Sequence, residues 1–245
     1  MKKIVTASLL VMLFNTSYAQ NTRLSEHNTI GWFSTTITPK LSSKISAHIE
    51  YIGRRDNLIK DWQQSLLRVG VNFKVHPQVT LHAGYGYIDT YPYGTYSLAA
   101  IPKRFPEHRI YEQVVVNGTV AKINIMHRLR LEQRWLGRFT SINSNKPDSY
   151  VYLNRLRYMT RIDVPIKKKF YAAAYDEIFI GFGKNVNENI FDQNRLGLMV
   201  GYKANNTFRL ESGFINQIVQ LGREINGRNV FQYNSGVIVN SYINF

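Results

Sequence analysis

The segment from Ile123 to Trp135 has the pattern that most constrains the fold of this chain. Its odd-numbered positions are mostly apolar and its even-numbered positions are mostly polar or charged. A repeat of two places successive side chains on opposite faces of a β-strand. In a soluble β-sandwich the apolar face would point to a core, whereas in a membrane barrel it would face lipid and the charged face would line the lumen.

The first residues indicate export from the cytoplasm. Lys2 and Lys3 precede an apolar run over 4–14, and Ser17-Tyr18-Ala19 has the small-x-small form of a cleavage site. We therefore predict a signal peptide over residues 1–19. A membrane-spanning helix is the weaker interpretation, because such a helix needs about 20 apolar residues.

The absence of cysteine and the positive net charge limit how the chain can be stabilised and which partners it can bind. The 245-residue chain contains no cysteine, so disulfides cannot stabilise it. Its formal net charge is +15, or +13 without Lys2 and Lys3. A basic chain raises the question of nucleic acid, but an exported protein rarely meets it, so we expect no nucleic-acid partner. Lipopolysaccharide phosphates, anionic solutes and internal ion pairs are the remaining explanations of the charge.

The alternating pattern recurs along the whole chain, in eleven segments. They cover 29–37, 44–55, 62–75, 79–87, 109–120, 123–135, 150–164, 170–182, 195–203, 208–220 and 230–245. Most are longer than the roughly 5–6 residues usual for soluble proteins. Tight connections alternate with longer loops, of which 90–106 is the longest and 221–228 the last, as in outer-membrane barrels.

The sequence thus predicts an all-β fold, a transmembrane antiparallel β-barrel in the outer membrane of a Gram-negative bacterium. Residues 20–245 form its single domain, with short periplasmic turns and longer extracellular loops. Bacterial barrels normally have an even number of strands, so we expect about 12 strands, within a range of 10–12. The polar segment 21–28 would supply a short twelfth strand or thread the lumen; a wrongly divided hairpin is the third explanation.

The end of the chain predicts how the barrel is assembled. Phe245 is the last residue of an alternating strand, and Ile243, Val239 and Val237 share its face. A terminal aromatic residue in this position resembles the signal read by the barrel-assembly machinery. We therefore expect that machinery to be a partner during insertion.

Several short motifs also resemble those of one family. They occupy 107–113, 127–134, 154–158, 175–179, 194–196 and 201–202, in this order along the mature chain. The sequence resembles the outer-membrane barrel family catalogued as domain of unknown function 2490. The resemblance implies a location and a fold, and no activity, since the family has none assigned.

The charged faces of consecutive strands would line one continuous wall of the lumen. The predicted lumen charge network comprises Arg128, Arg130, Glu132, Arg134, Arg155, Arg157, Arg161, Glu177, Arg195, Arg209 and Glu211. Buried charges need partners, so a bracing network with Glu132, Glu177 and Glu211 as hubs is the first interpretation. Surplus arginine lining an anion passage is the second, because a barrel of this size can be filled or open.

Catalysis and metal binding have weaker support. A lipid-modifying enzyme would need a serine, a histidine and an orienting group on the lipid-facing rim, and no such spacing occurs; His127 faces outward without a nearby serine, whereas His48 and His82 face inward near Ser46. We therefore predict no catalytic, cofactor-binding or metal site and no cofactor.

The aromatic residues have two interpretations. Trp32, Trp62, Trp135 and the tyrosines of 85–96 are expected to form the girdles at the membrane interfaces. Alternatively, 91–96 presents a surface for a sugar or a partner protein. The predicted partners are outer-membrane lipid, lipopolysaccharide and, as an open alternative, another envelope protein.

Overall fold

In the computed structural model of the protein, residues 23–186 and 189–245 are described. This part of the chain forms eleven strands and no helix that could cross a membrane. The strands are β1 (Leu24–Thr38), β2 (Ile45–Asp56), β3 (Asp61–His76), β4 (Val79–Thr90), β5 (Phe105–Val120), β6 (Ile123–Arg138), β7 (Ser149–Lys167), β8 (Phe170–Phe182), β9 (Phe191–Lys203), β10 (Phe208–Ile225) and β11 (Arg228–Asn244). The predicted signal peptide, 1–19, lies outside the described residues.

The strands form one closed barrel in which neighbours in sequence are neighbours in the sheet. All sequential pairs are antiparallel, whereas β1 closes the barrel against β11 in parallel, from Leu24 opposite Val230 to Thr38 opposite Asn244. The described residues thus form eleven strands, a number that lies within the expected range of 10–12 but is one fewer than the expected twelve. A closed barrel needs an even number of strands only when every neighbouring pair is antiparallel, whereas one parallel pair closes an odd number of strands without a free edge.

Residues 24–28, expected to be a separate segment, are the beginning of β1. The predicted loop 221–228 is also wrong, because β10 and β11 continue to a two-residue turn at Asn226-Gly227. Both turn residues have positive φ, 52° and 69°. An Asn-Gly pair supplies this conformation and joins twisted antiparallel strands tightly.

The two ends of the barrel differ. At one end, here called the tight-turn end, lie the short connections 39–44, 77–78, 121–122, 168–169 and 204–207, together with Phe245. At the other, the long-loop end, lie the start of β1 and the connections after β2, β4, β6, β8 and β10, of which 91–104 is the longest.

The alternation separates the side chains into two faces. The outer face exposes large apolar side chains on every strand, such as Val69 on β3 and Leu198 on β9, which are 43% and 49% exposed. The inner face carries buried arginine, glutamate and glutamine. Gly84 belongs to the inner face, where an added Cβ would lie 2.8 Å from atoms of His82 and Tyr111. The glycine therefore makes room for these two rings in the lumen.

Candidate functional site in the barrel lumen

The lumen contains more cations than anions. The arginines of the described inner face include Arg54, Arg68, Arg109, Arg128, Arg130, Arg134, Arg138, Arg155, Arg157, Arg161, Arg195, Arg209 and Arg223, and its fewer carboxylates include Glu26, Glu50, Asp56, Glu107, Glu132, Asp163, Glu177, Asp192 and Glu211. All of the residues of the predicted lumen charge network belong to this set.

Glu132 on β6 has four arginine neighbours and no solvent exposure. Its Oε2 lies 2.5 Å from Arg155 Nη2 and its Oε1 lies 2.6 Å from Arg157 Nη1. Arg109 Nη1 and Arg130 Nη1 lie 3.3 and 3.7 Å from Oε1. A buried carboxylate is unfavourable unless paired, and here cations from β5, β6 and β7 surround it.

The network extends from Glu132 in two directions. Arg157 Nη2 lies 2.8 Å from Glu177 Oε1, so this arginine joins the carboxylates of β6 and β8. On the other side, Arg109 pairs with both Glu132 and Glu107. Arg134 donates two hydrogen bonds to Glu107, of 2.8 and 3.0 Å. The result is a continuous network across β5–β8.

Glu211 on β10 is the centre of a second group, nearer the tight-turn end. Arg161 donates hydrogen bonds of 3.1 and 2.5 Å to its two oxygens. The hydroxyls of Tyr171 and Tyr242 donate at 2.5 and 3.2 Å, and Arg209 Nε lies 3.6 Å away. The carboxylate thus has partners from β7, β8, β10 and β11.

Two buried arginines lack a carboxylate within 4.0 Å among the described residues: Arg54 on β2 and Arg195 on β9. Arg54 donates to Gln64 Oε1, and Arg195 to Gln193 Oε1. Their guanidinium carbons lie 3.9 and 4.9 Å from the centroid of the Trp32 ring. Cation–π contact stabilises such groups partly, but neither guanidinium forms an ion pair within 4.0 Å among the described residues.

The central side chains divide the lumen into two cavities. The larger, about 750 Å³, reaches the tight-turn end at Pro77 and Gly118. The smaller, about 130 Å³, lies beneath the long loops. Both are lined by the same four arginines, Arg54, Arg68, Arg157 and Arg195. These four residues therefore form the partition between the cavities, here called the arginine partition.

The β4–β5 loop, residues 91–104, folds into the long-loop end. The Tyr93 hydroxyl donates a 2.7 Å hydrogen bond to Gln232 Oε1 on β11. The amides of Thr95 and Tyr96 donate to the Glu26 carboxylate on β1. Burial raises the pKa of Tyr93 to about 12, so its hydroxyl keeps the donated proton at neutral pH.

The loop thereby joins strands that neighbour neither β4 nor β5 in the sheet. Two further contacts hold its second half: Arg223 Nη2 on β10 donates to Ser97 O at 2.9 Å, and Lys103 Nζ donates to carbonyl oxygens of the β6–β7 loop. The loop is therefore a cover over this end of the lumen.

Sequence reasoning missed several members of the charge network, namely Glu50, Arg54, Arg68, Glu107, Arg109 and Asp192. The signal for most of them was the same alternation, which places positions 50, 54, 68, 107 and 109 on the inner faces of their strands. Asp192 had no such signal, because it lies beside a register irregularity at the start of β9.

Two aromatic residues expected in an interfacial girdle lie inside the barrel. Trp32 is 4% exposed and Tyr93 is 6% exposed, both facing the lumen. Trp62 and Trp135 lie on the outer face beside Tyr91 and Tyr152, with ring centroids 5.9 and 5.2 Å apart.

The histidines form no catalytic arrangement in the described residues. His127 faces outward, with its Nδ1 2.9 Å from the Tyr158 hydroxyl. His82 Nδ1 lies 2.7 Å from Asn72 Oδ1, and Asn72 in turn donates to Ser46. Ser46 therefore bonds to an amide and not to a base. No group of three or more candidate metal ligands occurs in the described part of the chain.

These features define the class of the protein: a closed β-barrel with an apolar outer face and an ion-paired lumen. The chain belongs to the family described as Protein of unknown function (DUF2490), whose model matches residues 29–227. No curated protein matches it. It is similar to a solved structure titled "NanC porin structure in rhombohedral crystal form", with a TM-score of 0.45 and 13% identity, over 82% of this chain and 91% of that one.

Proposed function

We propose that the protein is an outer-membrane barrel with a closed lumen, acting as a structural or partner-binding element of the envelope rather than as a pore. The observation that carries this proposal is the pair of closures in series: the arginine partition and the β4–β5 loop. A solute would have to displace both to cross the barrel.

The outer face supports the membrane location. Exposed Leu, Ile, Val and aromatic side chains occur on all eleven strands. An apolar area of this extent on a soluble protein would cause aggregation, whereas in a bilayer the same side chains contact lipid tails instead of water. The strands, of 12 to 19 residues, exceed the roughly 9–11 needed to cross a bilayer.

The charge network supports a bracing role. Glu107, Glu132, Glu177 and Glu211 are each at most 2% exposed and each pairs with more than one arginine. A network of this kind links neighbouring strands through side chains as well as through the backbone. Such links would oppose a change in the cross-sectional shape of the barrel.

Two polar side-chain pairs on the outer face favour a protein partner. Asp176 lies in the middle of β8, is exposed, and accepts a 3.0 Å hydrogen bond from Asn194 on β9. Asn216 donates a 2.8 Å bond to Ser235 on the next pair of strands, also on the outer face. Contact with lipid tails would leave these groups poorly solvated, whereas the polar surface of another envelope protein would satisfy them.

An anion-preferring channel is the second candidate. It is favoured by the surplus of arginine over carboxylate in the lumen, which would attract anions. It requires the β4–β5 loop to leave the mouth and the arginine partition to rearrange.

Bilayer conductance of the refolded barrel tests both candidates. Heat-dependent migration on a denaturing gel first establishes that a membrane barrel has formed. The closed barrel is expected to give no current steps above the lipid background. Steady anion-selective steps that weaken on Arg157→Gln would establish the channel instead, and hydrolysis of phospholipid or lipid A would establish an enzyme.

A further inference from the structure

We infer that the 750 Å³ cavity at the tight-turn end is a binding site for a small organic anion that has an apolar part. This goes beyond the proposed function, since a closed barrel needs no ligand. Ligand pockets in proteins usually measure about 300–1,000 Å³, and this cavity lies within that range.

The cavity carries more arginines than carboxylates in its lining, since Glu50, Asp163 and Glu177 stand against seven arginines. Arg54 and Arg195, which line it, are 5% and 7% exposed and have no carboxylate partner among the described residues. The Arg54 Nε is buried without any hydrogen-bond partner there. A carboxylate or phosphate in the cavity would accept hydrogen bonds from these two guanidinium groups, which have no carboxylate within 4.0 Å among the described residues.

A second donor reaches the same cavity. Tyr175 on β8 lines it and is 9% exposed, and its hydroxyl has no hydrogen-bond partner among the described residues. Tyr171 and Tyr242, by contrast, donate to Glu211. The free Tyr175 hydroxyl thus differs from its neighbours in having no protein acceptor.

Part of the cavity lining is apolar. Trp32, Met159 and Ile238 belong to a buried cluster on the inner face, and Ile52 and Met126 continue the lining. An inorganic anion would leave these apolar side chains in contact with water, whereas an anion with a hydrocarbon or aromatic part would cover them. The combination of unpaired arginine and apolar lining therefore selects an organic anion over phosphate or chloride.

The cavity opens where such a ligand could enter. Arg161, Arg128 and Arg209 line it, and their side chains are 11%, 18% and 35% exposed. Arg209 lies near the tight-turn end and is paired only weakly, at 3.6 Å from Glu211. The route thus runs from an exposed cation at the mouth to unpaired cations at the inner end.

Fluorescence of Trp32 tests the inference directly. In a Trp62→Phe/Trp135→Phe background, Trp32 is the remaining tryptophan of the 226 residues after the predicted cleavage site. Benzoate and phenyl phosphate are the probes, and they distinguish carboxylate from phosphate ligands. Phenol is the uncharged control and inorganic phosphate the control without an apolar part. We expect a saturable change with at least one probe and a weaker response to both controls.

Matched variants locate the site. Arg54→Gln should weaken binding of the probe at least about tenfold, since a charge-assisted hydrogen bond is lost. Arg138→Gln removes a lumen cation that lines the smaller cavity and not the larger one, and should leave binding unchanged. If Arg54→Gln does not fold, Tyr175→Phe removes the free hydroxyl alone and should weaken binding severalfold.

Three results would overturn the inference: no saturable response to either probe, an equal response to phenol, or equal losses in Arg54→Gln and Arg138→Gln. Where Arg54→Gln does not fold, unchanged binding in Tyr175→Phe would do the same. None of these depends on whether the barrel conducts.

Discussion

The Tyr93 hydroxyl donates a hydrogen bond of 2.7 Å to Gln232 Oε1, and this contact ties the β4–β5 loop to a strand beyond its sheet neighbours. Glu26 on β1 holds the next two residues of the loop through their amides. Removing the Tyr93 hydroxyl deletes one of the contacts that hold the loop, which makes the closure testable.

Tyr93→Phe should increase the rate at which trypsin cleaves after Lys103 or Arg104. Loss of one hydrogen bond is worth about 1 kcal/mol, so the released loop should be populated roughly fivefold more. The measurement is the cleavage rate of the folded barrel in detergent. Tyr91→Phe is the control, because Tyr91 contacts Trp62 on the outer face. Equal rates in all three proteins would mean that Tyr93 does not hold the cover.

Conductance should appear only when both closures are removed. Replacing residues 92–103 by two glycines opens the long-loop end, but the arginine partition still blocks the lumen. Adding Glu132→Ala with Arg157→Ala removes opposite charges together, which leaves one fewer arginine without a counter-ion than Glu132→Ala alone. The combined variant should give current steps in planar bilayers and the loop variant should not. Current from the loop variant alone would show that the partition is permeable.

Glu132→Gln should destabilise the barrel by about 3–5 kcal/mol, because Arg109, Arg130, Arg155 and Arg157 lose a shared counter-ion at a site without solvent exposure. The temperature at which the folded gel band disappears reports the loss. Glu112→Gln on β5 makes the same chemical change at an exposed outer position, where Gln133 is the partner at 3.2 Å. The contrary outcome is a Glu132→Gln band as heat-resistant as that of Glu112→Gln.

Val69→Arg should reduce insertion into vesicles. Val69 lies in the middle of β3 on the outer face, and arginine facing lipid near the midplane costs about 2–4 kcal/mol. Asn117→Arg adds the same side chain to the lining of the larger cavity and should insert normally. The fraction of folded protein after mixing with vesicles distinguishes them. Equal fractions would contradict the lipid-facing assignment.

Phe245→Ala should lower the amount of folded barrel in cells without changing refolding in vitro. The Phe245 side chain is 70% exposed, whereas its backbone pairs with Thr38 and Lys40. Its ring therefore contributes little to the folded barrel, so a lower cellular amount would report on the expected assembly signal. Phe182→Ala is the control for loss of an exposed aromatic residue, because Phe182 lies at the long-loop end of β8. Equal cellular amounts of the two variants would remove the assembly role.

The sequence by itself determined the local structure, because a strand's two faces follow from a period of two. Alternation placed Arg128, Arg130 and Glu132 on the lumen side of β6, and the count of eleven alternating segments equals the number of strands in the described residues. It also separated an apolar outer face from a charged inner one before any tertiary contact was known.

The tertiary structure alone decided how those strands and side chains meet. The parallel pairing of β1 with β11 depends on which edges come together after the sheet curls, and a strand's own residues do not encode its distant neighbour. The inward positions of Trp32 and Tyr93 depend on the space left in the lumen. Whether an arginine finds a carboxylate, as Arg157 does and Arg54 does not, depends on register across several strands, because a shift of one strand changes every pairing without changing the alternation.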